Sequence, residues 1–218
     1  ARIWKNEFKR ELVYIPYGGN EYSNLIAPVG MPIGKYVLYI ARLVPENSIE
    51  VFLDAIENFT QITVVIVGRE SKPGAIEKRI EQLQAKSGHV IWLKHVNDQE
   101  FLASLWKHCG VYFHGHTVGG TNPSLIQAMY LGAPILAIDT IFNREVLAGG
   151  GKFTRATKES IYLALEDFFP FKRISEDLKT HNLVRAREEF NWDKVCEMYY
   201  QTILNAYFAK ISECKPQE

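Results

Sequence analysis

Cysteine is scarce in this chain of 218 residues, with only 3 present. Cys109, Cys196 and Cys214 stand far apart and form no CxxC pair, so neither a zinc knuckle nor a disulfide framework is expected. That sparseness fits a reducing, cytoplasmic setting. Charge of one sign is missing too, since 25 Lys and Arg face 25 Asp and Glu. A nucleic-acid binder, or a protein drawn to an anionic membrane by bulk charge, carries a basic excess, so no nucleic-acid partner is expected. No run of about 18 apolar residues occurs, which predicts no membrane span and leaves only peripheral association open. There is no internal repeat and no low-complexity segment. With 47% hydrophobic and 23% charged residues, 15 Gly and 9 Pro, the composition excludes disorder, collagen and coiled coil. A chain of this length buries roughly 70% of its unfolded surface, enough for one sizeable core.

What is present is an alternation. Residues 1–12 (ARIWKNEFKREL) read as the end of a charged linker helix. VYIPYGGN then supplies a short apolar strand closed at Gly18 and Gly19. From residue 36 onward compact apolar runs rich in β-formers exchange with helical periodicities. The runs are YVLYIA (36–41), ITVVIVG (62–68), HVIWL (89–93), GVYFH (110–114) and PILAI (134–138). Five buried-looking strands separated by helices predict an α/β, Rossmann-like, doubly wound parallel sheet with helices on both faces. This unit spans residues 13–190. The tail is mostly helical, and residues 191–218 read as a closing helix.

In such a sheet, ligands sit at the carboxyl ends of the strands. Arg42 follows the first strand, aimed at the crevice. Its guanidinium either forks onto a phosphate or pairs with a neighbouring carboxylate such as Glu46. The same loop lacks G-x-G-x-x-G, which removes the main support for a dinucleotide-dependent dehydrogenase or epimerase. Asn47, three residues before Glu50, has the form of a helix cap with its reciprocal partner. The segment HGHTVGGTNPSLIQAM (114–129) is the most informative. Gly119 and Gly120 let backbone approach a ligand, Thr121 and Asn122 are capping residues, and Pro123 suits the first helical position. The loop therefore presents N–H groups and a positive helix end to an anion, with Ser124 and Gln127 in the first turn and a half. Alternatively, Ser124 and Gln127 only form a capping box. His114 and His116 are two apart, but no third ligand has suitable spacing, so no metal site is expected. Of the other histidines only His95 follows a strand end closely enough to line the crevice.

At this point the sequence resembles the C-terminal, nucleotide-sugar-binding half of GT-B glycosyltransferases of family 4. The likeness lies in VYIPYGGN, YIARLVPEN, ITVVIVG, VNDQEFLASLWKHCGVYFH, GTNPSLIQAMYLGAPILAI and EEFNWDKV, taken in that order. The wording VGGTNPSL further resembles a rhamnosyltransferase-like branch that makes bacterial surface polysaccharides. The resemblance implies transfer of a hexose or deoxyhexose from a UDP-, dTDP- or GDP-sugar, with retention and without a metal or other cofactor, to a glycan or lipid-linked acceptor. It implies that Arg42 contacts the donor diphosphate and that Gly119, Gly120, Thr121, Asn122 and Ser124 hold sugar and phosphate. Gln127 matches the residue that accepts from the ribose, and Val96 the backbone contact to the base. Asn47 stands where a Lys commonly supplies a second cation, and Gly119 and Gln127 stand where the E-x7-E signature has its two Glu. These departures leave two readings: a donor-binding half that is inactive alone, or a non-catalytic regulatory or scaffold subunit. The resemblance also implies an N-terminal Rossmann-like acceptor domain of similar size that 218 residues cannot hold. An exposed apolar face toward that domain, and peripheral membrane association through it, are expected.

Overall fold

The computed structural model describes residues 7–9, 12–168 and 176–213. Six strands form one sheet, β1 (Tyr36–Ile40), β2 (Thr63–Val67), β3 (Val90–Trp92), β4 (Val111–His114), β5 (Ile135–Ile138) and β6 (Lys152–Thr154). The helices are α1 (Ile49–Ile56), α2 (Ala75–Ser87), α3 (Gln99–His108), α4 (Pro123–Tyr130), α5 (Ile141–Leu147), α6 (Lys158–Phe168), α7 (Glu176–Glu189) and α8 (Trp192–Glu213). All strand pairs are parallel, in the order β3-β2-β1-β4-β5-β6. The winding reverses between β1 and β4, so the crevice of this doubly wound sheet opens there.

The central strands are apolar runs because both of their faces are covered. Tyr36 and Leu38 of β1 enter a core with Leu105, Ile126, Met129 and Leu147, from α3, α4 and α5. Val37 and Tyr39 enter the opposite core, with Phe52 and Leu53 of α1, Ile80 of α2 and Leu165 of α6. In that second core Tyr39, Phe52 and Phe113 stack with centroids 4.7 to 6.3 Å apart, which ties β1, α1 and β4 into one rigid block under the crevice.

Several expectations need correction. The sheet has a sixth strand, β6, a short edge strand that pairs with β5. VYIPYGGN is not a strand: its ladder contact is a single bridge from Gly19 to Asn191. Gly18 and Gly19 lie so close to the rings of Trp192 and Tyr130 that an added Cβ would fall within 2.5 Å of them. Of the expected linker helix, Glu7 and Phe8 are helical, while residues 1–6, 10 and 11 lie outside the described residues. The closing helix runs Trp192–Glu213, and Cys214 lies outside the described residues. Cys109 is buried and Cys196 exposed, both as free thiols. Among the described residues no helix is long and apolar enough to cross a membrane. Exposed apolar side chains do occur, at Val118 and Ile141 on the carboxyl edge of the sheet and at Tyr199, Tyr200, Ile203 and Tyr207 on α8.

Candidate functional site

The loop after β1 is built around the carbonyl of Arg42. That oxygen accepts from Val44 N at 2.9 Å and from Asn47 Nδ2 at 2.8 Å. Asn47 is buried, and its own carbonyl accepts from the Tyr39 hydroxyl at 3.0 Å. Pro45–Asn47 form a 3-10 turn, and α1 starts after Ser48, whose side chain makes no capping bond. Asn47 is therefore not a helix cap. It braces Arg42, and its amide is committed to that backbone. With the Arg42 backbone held on two sides, the exposed guanidinium stands free: among the described residues neither Arg42 nor Glu46 takes part in an ion pair. The pairing of Arg42 with Glu46 is not realised.

The loop after β4 is bolted to the first. A Cβ on Gly115 would lie 2.2 Å from Asn47 O, so glycine lets the two backbones meet. Thr117 donates to Glu46 O from N and from Oγ1, each at 2.9 Å. Asn143, in the first turn of α5, donates from Nδ2 to His116 O at 3.0 Å and to Ile138 O at 2.8 Å. Three strand exits are thus fastened together.

His114, at the end of β4, is fully buried and its Nδ1 shares a hydrogen bond of 3.0 Å with the Tyr112 hydroxyl. Its ring stacks on His116 with centroids 4.4 Å apart. Stacked rings do not converge on one ion, and among the described residues no third ligand joins them. Burial, and then the neighbouring His116, pushes His114 well below the usual imidazole range. Burial, and then the Arg42 charge, brings His116 down to about 4. Both rings are neutral near pH 7, so Arg42 and His116 place one charged and one neutral group side by side.

Beyond Thr117 the loop rises into solvent. Gly119 has φ +105°, a backbone that favours glycine, and a Cβ on either Gly119 or Gly120 would meet nothing within 4 Å. Thr121 Oγ1 is hydrogen-bonded to the Tyr14 hydroxyl at 2.5 Å. Asn122 caps α4 by accepting from Ser124 N at 2.9 Å, with Pro123 in the first turn. The capping box of Ser124 and Gln127 is not formed. Gln127 instead accepts from Asn20 N at 3.1 Å and donates to Asn20 O at 2.8 Å, binding that backbone on both sides. Asn20 is held in turn by Trp192 Nε1 at 3.1 Å.

The structure thus brings Arg42 together with the 115–124 loop at the switch point. Gln127 lies one turn along α4 under residue 20. Val96 lies at the exit of β3, half-buried against the core, two strands from β1. His95 turns to Asn97, with Nε2 at 2.8 Å from Oδ1. Sequence reasoning missed Tyr14, Asn143 and the crevice role of His116. The HGH lettering was a signal for His116, once read as flanking the glycine loop instead of as a metal pair. An exposed guanidinium, a neutral imidazole, glycine backbone and a helix N-terminus suit a polyanion with hydroxyl-rich neighbours.

No curated protein sequence matches the chain. Sucrose-phosphate synthase from Thermosynechococcus elongatus shares the fold with TM-score 0.76 and 19% identity, over 95% of this chain and 56% of that one. The pneumococcal O-GlcNAc transferase GtfA, solved with UDP and GlcNAc, gives TM-score 0.72 and 17% identity, over 94% and 43%. The C-terminal domain of a glycosyl transferase group 1 family protein, LpcC, from Francisella tularensis gives 0.60 and 12%, over 72% and 87%. The chain spans about half the length of the first two. The profile of the family described as Glycosyl transferases group 1 matches residues 33–165, from the entry to β1 into α6. That match covers more than half of the chain and every strand of the sheet, and the chain belongs to the group 1 glycosyltransferases.

Proposed function

We propose that this chain is the nucleotide-sugar-binding half of a glycosyltransferase that moves a hexose or deoxyhexose, with retention, onto a glycan or lipid-linked acceptor in surface polysaccharide synthesis. The observation that carries the reading is Arg42: a guanidinium with no ion-pair partner among the described residues, its backbone braced by Asn47, standing beside the loop that leads through Gly119 and Gly120 to the start of α4. As the bond from the anomeric carbon to the diphosphate breaks, negative charge grows on the departing oxygens. A guanidinium and a helix N-terminus held in place beforehand stabilise that charge without reorganisation, and no metal is needed for it. Thr121, Asn122 and Ser124 place the helix start against phosphate and sugar, and Val96 lies on the side of the base. The relative solved with UDP supports a uridine nucleotide as the first ligand to test. The acceptor site, on this reading, belongs to a second Rossmann-like domain, because the chain spans 56% and 43% of the two longer relatives.

Calorimetric titration of the chain with UDP, dTDP and GDP tests the proposal. One of them is expected to bind, and Arg42→Ala to weaken it at least about 10-fold, the loss of one charge-assisted contact. No binding at millimolar nucleotide by a folded chain overturns it. A second reading, a non-catalytic regulatory subunit, is favoured by Asn47 and Gln127 each spending its amide on the chain's own backbone. It predicts that Asn47→Lys and Gln127→Glu gain no nucleotide affinity, and a clear gain in either counts against it.

A further inference from the structure

Resting on the nucleotide-sugar reading, we propose that His116 is a donor-positioning residue whose imidazole is fixed in one tautomer and offers its Nε2–H to the donor diphosphate beside Arg42. The backbone on both sides of His116 is clamped: Gly115 sits against Asn47 O, His116 O accepts from Asn143, and Thr117 is held twice by Glu46 O. The ring plane is set by the stack on His114, which is itself tied to Tyr112. Such a ring is held by the fold and is not free to search.

The tautomer follows from what each nitrogen faces. Nδ1 of His116 is buried with no hydrogen-bond partner among the described residues. The residue is only partly buried, and Nε2 is the ring nitrogen left at the surface. A buried N–H without an acceptor costs more than a buried bare lone pair, so the proton resides on Nε2. The groups that face the ring are Arg42 from the β1 loop and His114 from β4, with Tyr112 behind it. Asp139, at the exit of β5, is closed on Arg144, and among the described residues no carboxylate pairs with His116. Nothing therefore supports an imidazolium, and Arg42 opposes one. The ring keeps a single outward N–H across the neutral range. One N–H beside one guanidinium matches an anion with several acceptor oxygens, and a diphosphate is such an anion.

The test is calorimetric titration of the whole chain with UDP-glucose, whose esterified diphosphate does not titrate between pH 5.5 and 8, and with uridine as the phosphate-free control. Gln places its amide nitrogen near Nε2, whereas Asn places one near Nδ1. His116→Gln is expected to stay within about 3-fold of wild type, and His116→Asn and His116→Ala to weaken UDP-glucose about 10-fold, with uridine unchanged. Wild-type affinity is expected to be flat from pH 5.5 to 8. Equal affinity in wild type and His116→Ala overturns the proposal. So does an equal loss in the Gln and Ala variants with intact melting curves, which reports packing alone, and so does binding that tightens steadily with acid, which reports a cation. If the wild type binds no nucleotide, the donor reading itself falls and this proposal with it. Wild-type binding that ignores His116 overturns this proposal alone.

Discussion

The loop after β1 turns inward, burying Asn47 and spending its amide on Arg42 O, whereas the loop after β4 turns outward and leaves Val118, Gly119 and Gly120 exposed. Both leave the sheet at the switch point, yet one is a fixed platform for a cation and the other a stretch of adaptable backbone. On the proposed function, the reason lies in what each must hold. A single guanidinium gains selectivity only if its carbon stem starts from a fixed place, so its backbone is bonded twice. Backbone N–H groups can follow ligands of different shape, and glycine leaves them room. Residues 115–117 belong with the rigid part, because they are bolted to Glu46 and Asn47. The boundary between platform and adaptable loop therefore falls inside the β4 loop, near Thr117.

Gly115→Ala attacks the bolt and carries the largest expected effect. Its Cβ would lie 2.2 Å from Asn47 O, a backbone atom that already accepts from Tyr39 and cannot swing aside as a side-chain end would. Forcing the two loops apart should cost on the order of 3 kcal/mol or more. Scanning calorimetry should show the melting temperature lower by about 6 to 12 °C. A drop under about 2 °C would mean that the two loops are not one unit.

Acid should loosen the platform next. In the unfolded chain an imidazole takes up its proton below about pH 6.5. In the folded chain His116 does so only near 4, because burial and Arg42 disfavour the charged form. Between those values the unfolded state binds the extra proton, so stability falls as the pH drops from about 6.5 to about 4, by about 2 kcal/mol for a partly exposed ring. Urea unfolding of wild type and His116→Gln at pH 7, 5.5 and 4.5 isolates this contribution. The variant should lose less stability over that span, and parallel curves would show that His116 does not carry it.

The rigid half was less legible in the sequence than the adaptable half. The central strands announced themselves because burial on both faces leaves unbroken apolar runs such as YVLYI and VYFH. Gly119, Asn122 and Pro123 were legible because a turn, a cap and a first helical residue are local demands. Asn47 was misread. The letters Asn47 and Glu50 carry the form of a cap, but Pro45 starts a 3-10 turn that moves the helix start past Ser48 and sends the Asn47 amide backward. Gln127 meets Asn20 across 107 residues, a pairing that no local pattern encodes. VYIPYGGN has strand letters, but Val13, Tyr14 and Tyr17 stay exposed while Gly18 and Gly19 close on Trp192 and Tyr130, so β-propensity finds no sheet face to bury there. β6 escaped notice because three residues beginning with an exposed Lys152 leave almost no apolar signal.

Gly119→Ala tests the adaptable half and should be felt least in stability. Its φ of +105° disfavours any side chain, but a Cβ there would meet nothing within 4 Å, so the penalty is conformational, of order 1 kcal/mol. Because the loop is exposed and braced mainly through Thr121 and Tyr14, it can relax locally. The melting temperature should then move by no more than about 4 °C. Gly120→Ala, at a position without positive φ and equally open, should not move it at all. Ligand binding should separate the pair further, since a relaxed residue 119 no longer presents the same N–H direction: UDP should weaken several-fold in Gly119→Ala and little in Gly120→Ala. A Gly119→Ala chain as destabilised as Gly115→Ala would erase the boundary at Thr117 and make the whole β4 loop part of the platform.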